Sequence, residues 1–247
     1  MNNLSAAQAI EERFAARRFT AESVSEATIT QLIELADRAP SGFNLQPWRF
    51  VLVRDPKLKR ELQLAAMNQP QVGDSAGVVV FVADPNAGGA RYNEVLALAK
   101  RETEMPDKQA AFYRKNVSLL FLVGPLGLVG FFKRLAIKLG QSFRPLPGLV
   151  YSRKDARNYV RAQTMLSVAT FMIAAKGMGI DTSPMEGFDE QRVKKLLKIP
   201  ARMTVPVLVA YGISAREIPD QPRKRSVRLP LAEKLYLETF STRPEIR

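Results

Sequence analysis

Two residue types are missing from the 247-residue chain: it has no cysteine and no histidine. Without cysteine there is no disulfide, no thiolate nucleophile and no thiolate ligand for a metal. Without histidine there is no Ser-His-Asp or Cys-His catalytic arrangement, no imidazole metal site and no imidazole general base. What remains is chemistry by carboxylate, Lys or Arg, or by a bound cofactor that asks little of side chains. Acid is also scarce, with 24 Asp and Glu against 37 Lys and Arg and a net charge of +13. Such a balance suits nucleic acid, an anionic membrane surface or a phosphate-bearing ligand. The excess is uneven: residues 117–161 hold eight Lys or Arg and a single acid, Asp155. No stripe of interleaved aromatic and basic residues appears, which argues against nucleic acid as a partner. The opening Met-Asn-Asn-Leu-Ser has no basic segment leading into an apolar run. A secretory signal is therefore not expected, and a cytoplasmic location is.

The hydrophobic fraction of 46% excludes general disorder, and the length permits ample core. No repeat, glycine-rich linker or low-complexity segment marks a boundary. We expect a single domain over 1–247 with an insertion at about 88–150.

The stretch Ala39-Pro-Ser-Gly-Phe-Asn-Leu-Gln-Pro-Trp48 organises the rest. Ile29, Leu32, Ile33 and Ala36 recur at helical spacing, and Pro40 stops that helix. From Trp48 to Val53 the residues alternate as in a strand. Between them lie Ser41, Gly42, Asn44 and Gln46, small residues and amides on a short loop. Gly42 permits close approach to the backbone, and the amides both donate and accept. Such a loop suits a planar ligand edged with heteroatoms.

Other features are read from N-terminus to C-terminus. Residues 5–16 predict a helix, followed by Arg17, Arg18 and Thr20. Those three suit either a phosphate or a solvated pair at a helix C-terminus. Thr28 with Gln31 predicts a capping box, and Asp55-Pro56 an N-cap and first turn for a helix through Ala66. Asn68 and Gln69 follow it. Ala76–Ala83 predicts a strand buried on both faces. Residues 117–132 are uncharged but too short to span a membrane as a helix, and their glycines do not form GxGxxG. Residues 155–176 predict a long helix, apolar nearly all round and so buried, partly by a second subunit. Ser183–Gly187 predicts a loop before a helix capped by Asp189. Val205–Ile213 predicts a strand with Pro206 at its start or on an edge. Pro222–Arg228 carries four cations and no acid.

Taken together, Arg17-Arg18, APSGFNLQPW, Met67-Asn-Gln-Pro-Gln-Val72, Gly179-Ile-Asp-Thr-Ser-Pro-Met-Glu-Gly187 and the block from Arg225 to Leu231 resemble the FMN-dependent nitroreductase family in content and order. The resemblance implies an α+β fold of three layers, with a mixed central sheet flanked by helices and carrying the apolar, helical insertion. It implies FMN as cofactor and NADH or NADPH as reductant, with hydride passing through flavin N5 to a nitroaromatic, quinone or similar small acceptor by a ping-pong route. It implies a homodimer. Arg17, Arg18 and Thr20, with Arg225 and Arg228, would meet the phosphate. Asn68 or Gln69 would meet the flavin or its ribityl chain. Pro184, Met185, Glu186 and Gly187 would contact the cofactor, with a backbone N–H near Glu186–Gly187 facing N5 and Glu186 as a positional residue. Ser41, Gly42 and Asn44 would approach the isoalloxazine from the other subunit, with Pro40 and Gln46 also among the cofactor-binding residues. No metal is expected. Relatives of similar fold perform reductive dehalogenation or flavin fragmentation, which stands as the alternative beside a basic binding protein. For residues 117–144, an apolar run followed by Lys133, Arg134, Lys138 and Arg144, two expectations stand: a lid over the pocket or dimer, or a weak peripheral membrane contact.

Overall fold

The computed structural model describes residues 4–148, 150–215 and 226–240. Four strands form its sheet: β1 (Trp48–Val53), β2 (Gly77–Ala83), β3 (Asp181–Met185) and β4 (Thr204–Gly212), in the order β1-β2-β4-β3. Every pairing of these strands is antiparallel. The parallel component of the expected mixed sheet comes down to one isolated bridge, Ala15 to Thr182, among the described residues.

Helices cover both faces, which makes the three layers. On one side α2 (Glu26–Asp37) and α8 (Arg153–Gly177) pack on Val79, Phe81, Val207, Val209 and Tyr211. On the other, α3 (Pro56–Ala65), α4 (Pro70–Asp74) and α9 (Glu190–Leu196) pack on Val78, Val80, Val82, Leu208 and Ala210. Successive residues of β2 and β4 thus point into different cores, which is why both strands are buried at every position. Phe81 meets Phe171 of α8 edge-on, with ring centroids 5.7 Å apart. Such a pair adds about 0.5–1.5 kcal/mol beyond its burial.

Local signals decide several boundaries. Asp55 caps α3 as expected, its carboxylate accepting from Leu58 N–H, with Pro56 in the first turn. The cap of α2 is Ser25, whose hydroxyl accepts from Thr28 N–H. Thr28 is therefore a recipient of the cap and not its source. Helix α1 spans Ala6–Glu12 under a Ser5–Gln8 capping box and ends four residues before the expected Ala16. The chain then straightens because Ala16 N–H is taken by Thr182 carbonyl.

Pro206 lies within β4, which is a central strand. The register slips there: Phe81 pairs with Val207 but Ala83 with Thr204, so three steps on β4 face two on β2. A bulge needs no ladder N–H at that point, and a proline fits. Ser183–Met185, expected as loop, belongs to β3. Pro184 is tolerated because β3 is an edge strand.

Between β2 and α8 the chain forms α5 (Ala90–Thr103), α6 (Asp107–Phe121) and α7 (Leu128–Gln141). They build small cores of their own around Tyr92, Val117 and Leu120, outside the two sheet cores. On α8, Val160, Val168, Phe171 and Ala175 are buried within the chain, while Met165 and Leu166 remain exposed.

Candidate functional site

Three of the sequence-predicted segments are tied to one another. The Gln69 side-chain amide donates to Gly187 carbonyl at 2.8 Å. Arg18 makes an ion pair of 3.0 Å with Asp74 at the end of α4. The Ala16–Thr182 hydrogen bond lays Arg17 and Arg18 just beyond the edge strand that leads to Gly187. Thr20 N–H donates to Ile213 carbonyl, and its hydroxyl donates to Glu22. Arg17 is exposed and has no ion pair among the described residues. Asn68, Glu186 and Gly187 are exposed as well, Pro184 is half-buried, and Met185 is packed into the core under the strand end. The open side of this cluster therefore offers a guanidinium, an amide and backbone of β3's end, with carboxylates Asp74 and Glu186 nearby.

The loop after α2 has different partners. Gly42 N–H donates to Gln163 Oε1 of α8 at 2.7 Å, and Tyr92 hydroxyl donates to Phe43 carbonyl at 3.0 Å. Ser41 hydroxyl accepts from Gln46 N–H, and the Gln46 amide donates to Asn44. Pro40 and Asn44 are exposed. What approaches the backbone at Gly42 is a side chain of the same molecule: a Cβ there would lie 2.4 Å from the Tyr159 hydroxyl. Tyr159 is held by an edge-on contact with Phe121, and burial pushes its hydroxyl pKa up. We expect Gly42→Ala to destabilise the fold by about 1–3 kcal/mol through overpacking. Adding Tyr159→Phe, which removes the clashing oxygen, should restore most of that in a denaturant titration.

Backbone strain collects in the same two places. Nine non-glycine residues have positive φ among the described residues, and five of them are Phe43, Asn44, Gln46, Met67 and Asn68. Left-handed backbone at a bulky residue costs energy and persists where surrounding contacts fix it, commonly at ligand-binding loops.

Two further predicted residues stand apart. Arg225 lies outside the described residues. Arg228 is exposed, and its guanidinium donates to the carbonyl of Val227; nothing in the described residues links it to Arg17 or Arg18. Sequence reasoning missed Asp74, Tyr159 and Gln163. The available signal for Gln163 was its polarity inside a helix otherwise read as apolar.

A cavity of about 1070 Å³ contains none of the predicted residues. Arg91, Arg114, Arg153, Arg157 and Arg202 line it, with Asp84 as its one acid. Asp84 is shared between Arg49 at 3.6 Å and Arg202 at 3.8 Å. Burial lowers the Arg49 pKa, and the charge of Arg91 lowers it further against the pull of Asp84. A smaller cavity of about 310 Å³ joins Phe43 and Asn44 to Tyr92 of α5, Tyr113 of α6 and Met105 between those helices. Among the described residues no group of His, Cys, Asp and Glu could hold a metal ion.

Comparison with known proteins decides the family. The model of the nitroreductase family matches residues 10–213. The chain belongs to the nitroreductase family. It is accordingly an oxidoreductase of that family. It is 30% identical over 215 residues to an NADH dehydrogenase of Thermus thermophilus, covering 87% of this chain and 89% of that one. It is 32% identical over 213 residues to the protein DrgA of Synechocystis, covering 84% and 83%. A nitroreductase structure from Exiguobacterium sibiricum, solved in complex with FMN, superposes with a TM-score of 0.70 at 22% identity, covering 96% of this chain and 99% of that one. The α+β, three-layer fold is therefore that of nitroreductases.

Proposed function

We propose that this nitroreductase-family protein is an FMN enzyme that draws reducing equivalents from NADH or NADPH and passes them to a small oxidised acceptor, a nitroaromatic or a quinone. The observation that carries the reading is the hydrogen bond between Gln69 and Gly187. It joins two segments, 118 residues apart, each of which the family resemblance places at the flavin. The FMN complex of a neighbouring structure and the NADH dehydrogenase among the relatives support the cofactor and the reductant.

The donor set fits FMN. Arg17, free of any ion pair among the described residues, and Arg18, whose exposed pair with Asp74 is weak, can give planar charge-assisted hydrogen bonds to one terminal phosphate. Asn68 and Gln69 supply amides. The backbone at Glu186–Gly187 is open: a Cβ on Gly187 would meet nothing closer than 3.9 Å. When bound, the flavin supplies the hydride chemistry. The chain's own part is to hold the phosphate, fix the ring edge with the Gln69-braced strand end, and keep the 40–46 loop rigid through Gln163, Tyr159 and Tyr92. Glu186 orients and is not needed as a proton donor, since the acceptor's proton can come from solvent at this exposed position.

The test is direct. The purified protein should be yellow, and heating should release FMN, identified by chromatography; an FAD peak or no flavin would sink the cofactor. Anaerobic stopped-flow should show flavin bleaching by NADH or NADPH, then reoxidation by a quinone or nitroaromatic. Bleaching by neither nucleotide, with turnover of a halogenated aromatic under other reductants, would favour reductive dehalogenation.

The reading includes a homodimer. Loop 40–46 is built with its contacts turned toward α8 and α5 of its own chain, which leaves Pro40 and Asn44 exposed for a partner's flavin. Met165 and Leu166 of α8 also await a cover. Light scattering is expected to give twice the chain mass. A monomer with full flavin and full activity would remove the second subunit from the site.

A further inference from the structure

Helix α7 is turned the wrong way for a helix of a water-soluble surface. Leu128, Phe131, Phe132, Leu135 and Leu139 follow the i, i+3, i+4, i+7, i+11 pattern of one helix face. That face usually seeks a core, yet here all five side chains are exposed. The opposite face makes the contacts with the protein. Gly130 is buried, and a Cβ there would lie 1.8 Å from the Tyr151 carbonyl oxygen, so only glycine lets the helix sit this close. Lys133 lies over the Tyr151 ring and donates to the Leu119, Leu120 and Leu122 carbonyls at 3.0, 3.3 and 2.7 Å, closing the C-terminus of α6. Thus a cation is spent inward and the apolar stripe is left outward. The turn before α7 continues the stripe: Leu126 is 95% exposed. Phe143, just after α7, is 89% exposed.

The charge around this stripe has one sign. Arg134 and Lys138 border it, and Arg144 follows. Between Asp107 and Asp155 the chain has nine Lys or Arg and no acid. We propose that α7 and the turn at Gly124–Gly127 dock this protein on an anionic lipid bilayer, the apolar stripe entering the acyl boundary and the bordering cations meeting phosphate headgroups. Self-association through this face is disfavoured by the same charges, because a two-fold contact would bring Arg134, Lys138 and Arg144 of both copies into one interface with no acid of this segment to pair them. The contact is interfacial and not spanning. No single described helix is long and apolar enough to cross a membrane; α6 and α7 meet the length and composition only as a pair bent by 77°. Helix α6 is besides committed to the protein through Ala110, Val117 and Leu120.

Vesicle flotation of the full-length protein tests this, with phosphatidylglycerol and phosphatidylcholine vesicles at low and high salt. We expect flotation with phosphatidylglycerol only, reversed by salt. Arg134→Glu with Lys138→Glu should weaken partitioning at least about thirtyfold, from the loss of two headgroup cations. Leu135→Ser with Leu139→Ser should abolish flotation while leaving thermal unfolding and oligomeric state unchanged, since both side chains are exposed. Absence of flotation with either lipid overturns the proposal. So does undiminished binding by the charge-reversed or the serine variant. A change of oligomeric state in the serine variant would overturn it too, by assigning the face to a second copy.

Discussion

Asp181→Ala is expected to destabilise the protein by about 3–5 kcal/mol, because it would leave a buried ammonium without its counter-charge. Asp181 opens β3 and is buried together with Lys176 of α8, whose Nζ lies 3.1 Å from one carboxylate oxygen. The second oxygen accepts from Ser214 hydroxyl at 2.6 Å and from Ser214 N–H at 3.3 Å. The Lys176 ammonium also sits 5.5 Å from the centre of the Phe14 ring. One carboxylate thus ties together the end of the long helix, the start of the edge strand and the exit of β4. Thermal unfolding should shift down by roughly 6–20 °C for a chain of this size.

The pair itself is expected to contribute little net stability, since its attraction must first offset the desolvation of both charges. Replacing the set together, as Lys176→Met, Asp181→Leu and Ser214→Ala, should therefore cost much less than Asp181→Ala alone. A triple variant as unstable as the single one would show that the stability comes from the ionic contacts, contrary to this account. The functional consequence follows from position. β3 begins at Asp181 and leads to the Glu186–Gly187 end that Gln69 braces, so loosening its root should also raise flavin loss during purification.

What could be read from the chain was what depends on near neighbours in sequence. The Asp55-Pro56 start of α3 is one example, since a cap is satisfied within three residues. The run at β2 is another: a strand covered by helices on both faces must be apolar throughout, whatever the direction of its neighbours. Segment Ser183–Met185 was misread because proline and serine signal loops locally, whereas the sheet order that makes an edge of β3 is a property of the whole chain. The neighbour that fixes Gly42 as a glycine is Tyr159 of α8, and the acceptor of the Gly42 N–H, Gln163, is 121 residues away. The partner of Arg18 is 56 residues away. Neither separation leaves a mark at the glycine or the arginine itself. Likewise the periodicity of α7 is plain in the sequence, but a period gives a face and not its direction. Only Gly130 against Tyr151 and Lys133 on the α6 carbonyls show that the apolar face points outward.

Arg17 and Asp74 should move flavin affinity in opposite directions, and that sign difference separates a phosphate contact from a general loss of structure. Arg17 is exposed and makes no ion pair among the described residues, so Arg17→Ala removes little from the fold. If it meets the FMN phosphate, its loss removes charge-assisted hydrogen bonds of ~1.5–3 kcal/mol, and the dissociation constant should rise about 10- to 150-fold. Asp74 holds Arg18 in an exposed pair, with side chains 57% and 36% accessible, and such pairs are worth about 0–1 kcal/mol. Asp74→Asn should accordingly cost the fold little. It frees Arg18 to turn to the phosphate and removes a carboxylate near it, so FMN should bind up to about fivefold tighter. Arg18→Ala should weaken binding, though less than Arg17→Ala, because Arg18 already spends its charge on Asp74. Titrating flavin-stripped protein with FMN, followed by quenching of flavin fluorescence, reads all three. Equal affinities in wild type and in Arg17→Ala would take this arginine out of the site. Weakening by Asp74→Asn would mean that the ion pair serves to position Arg18 for the phosphate rather than to compete for it.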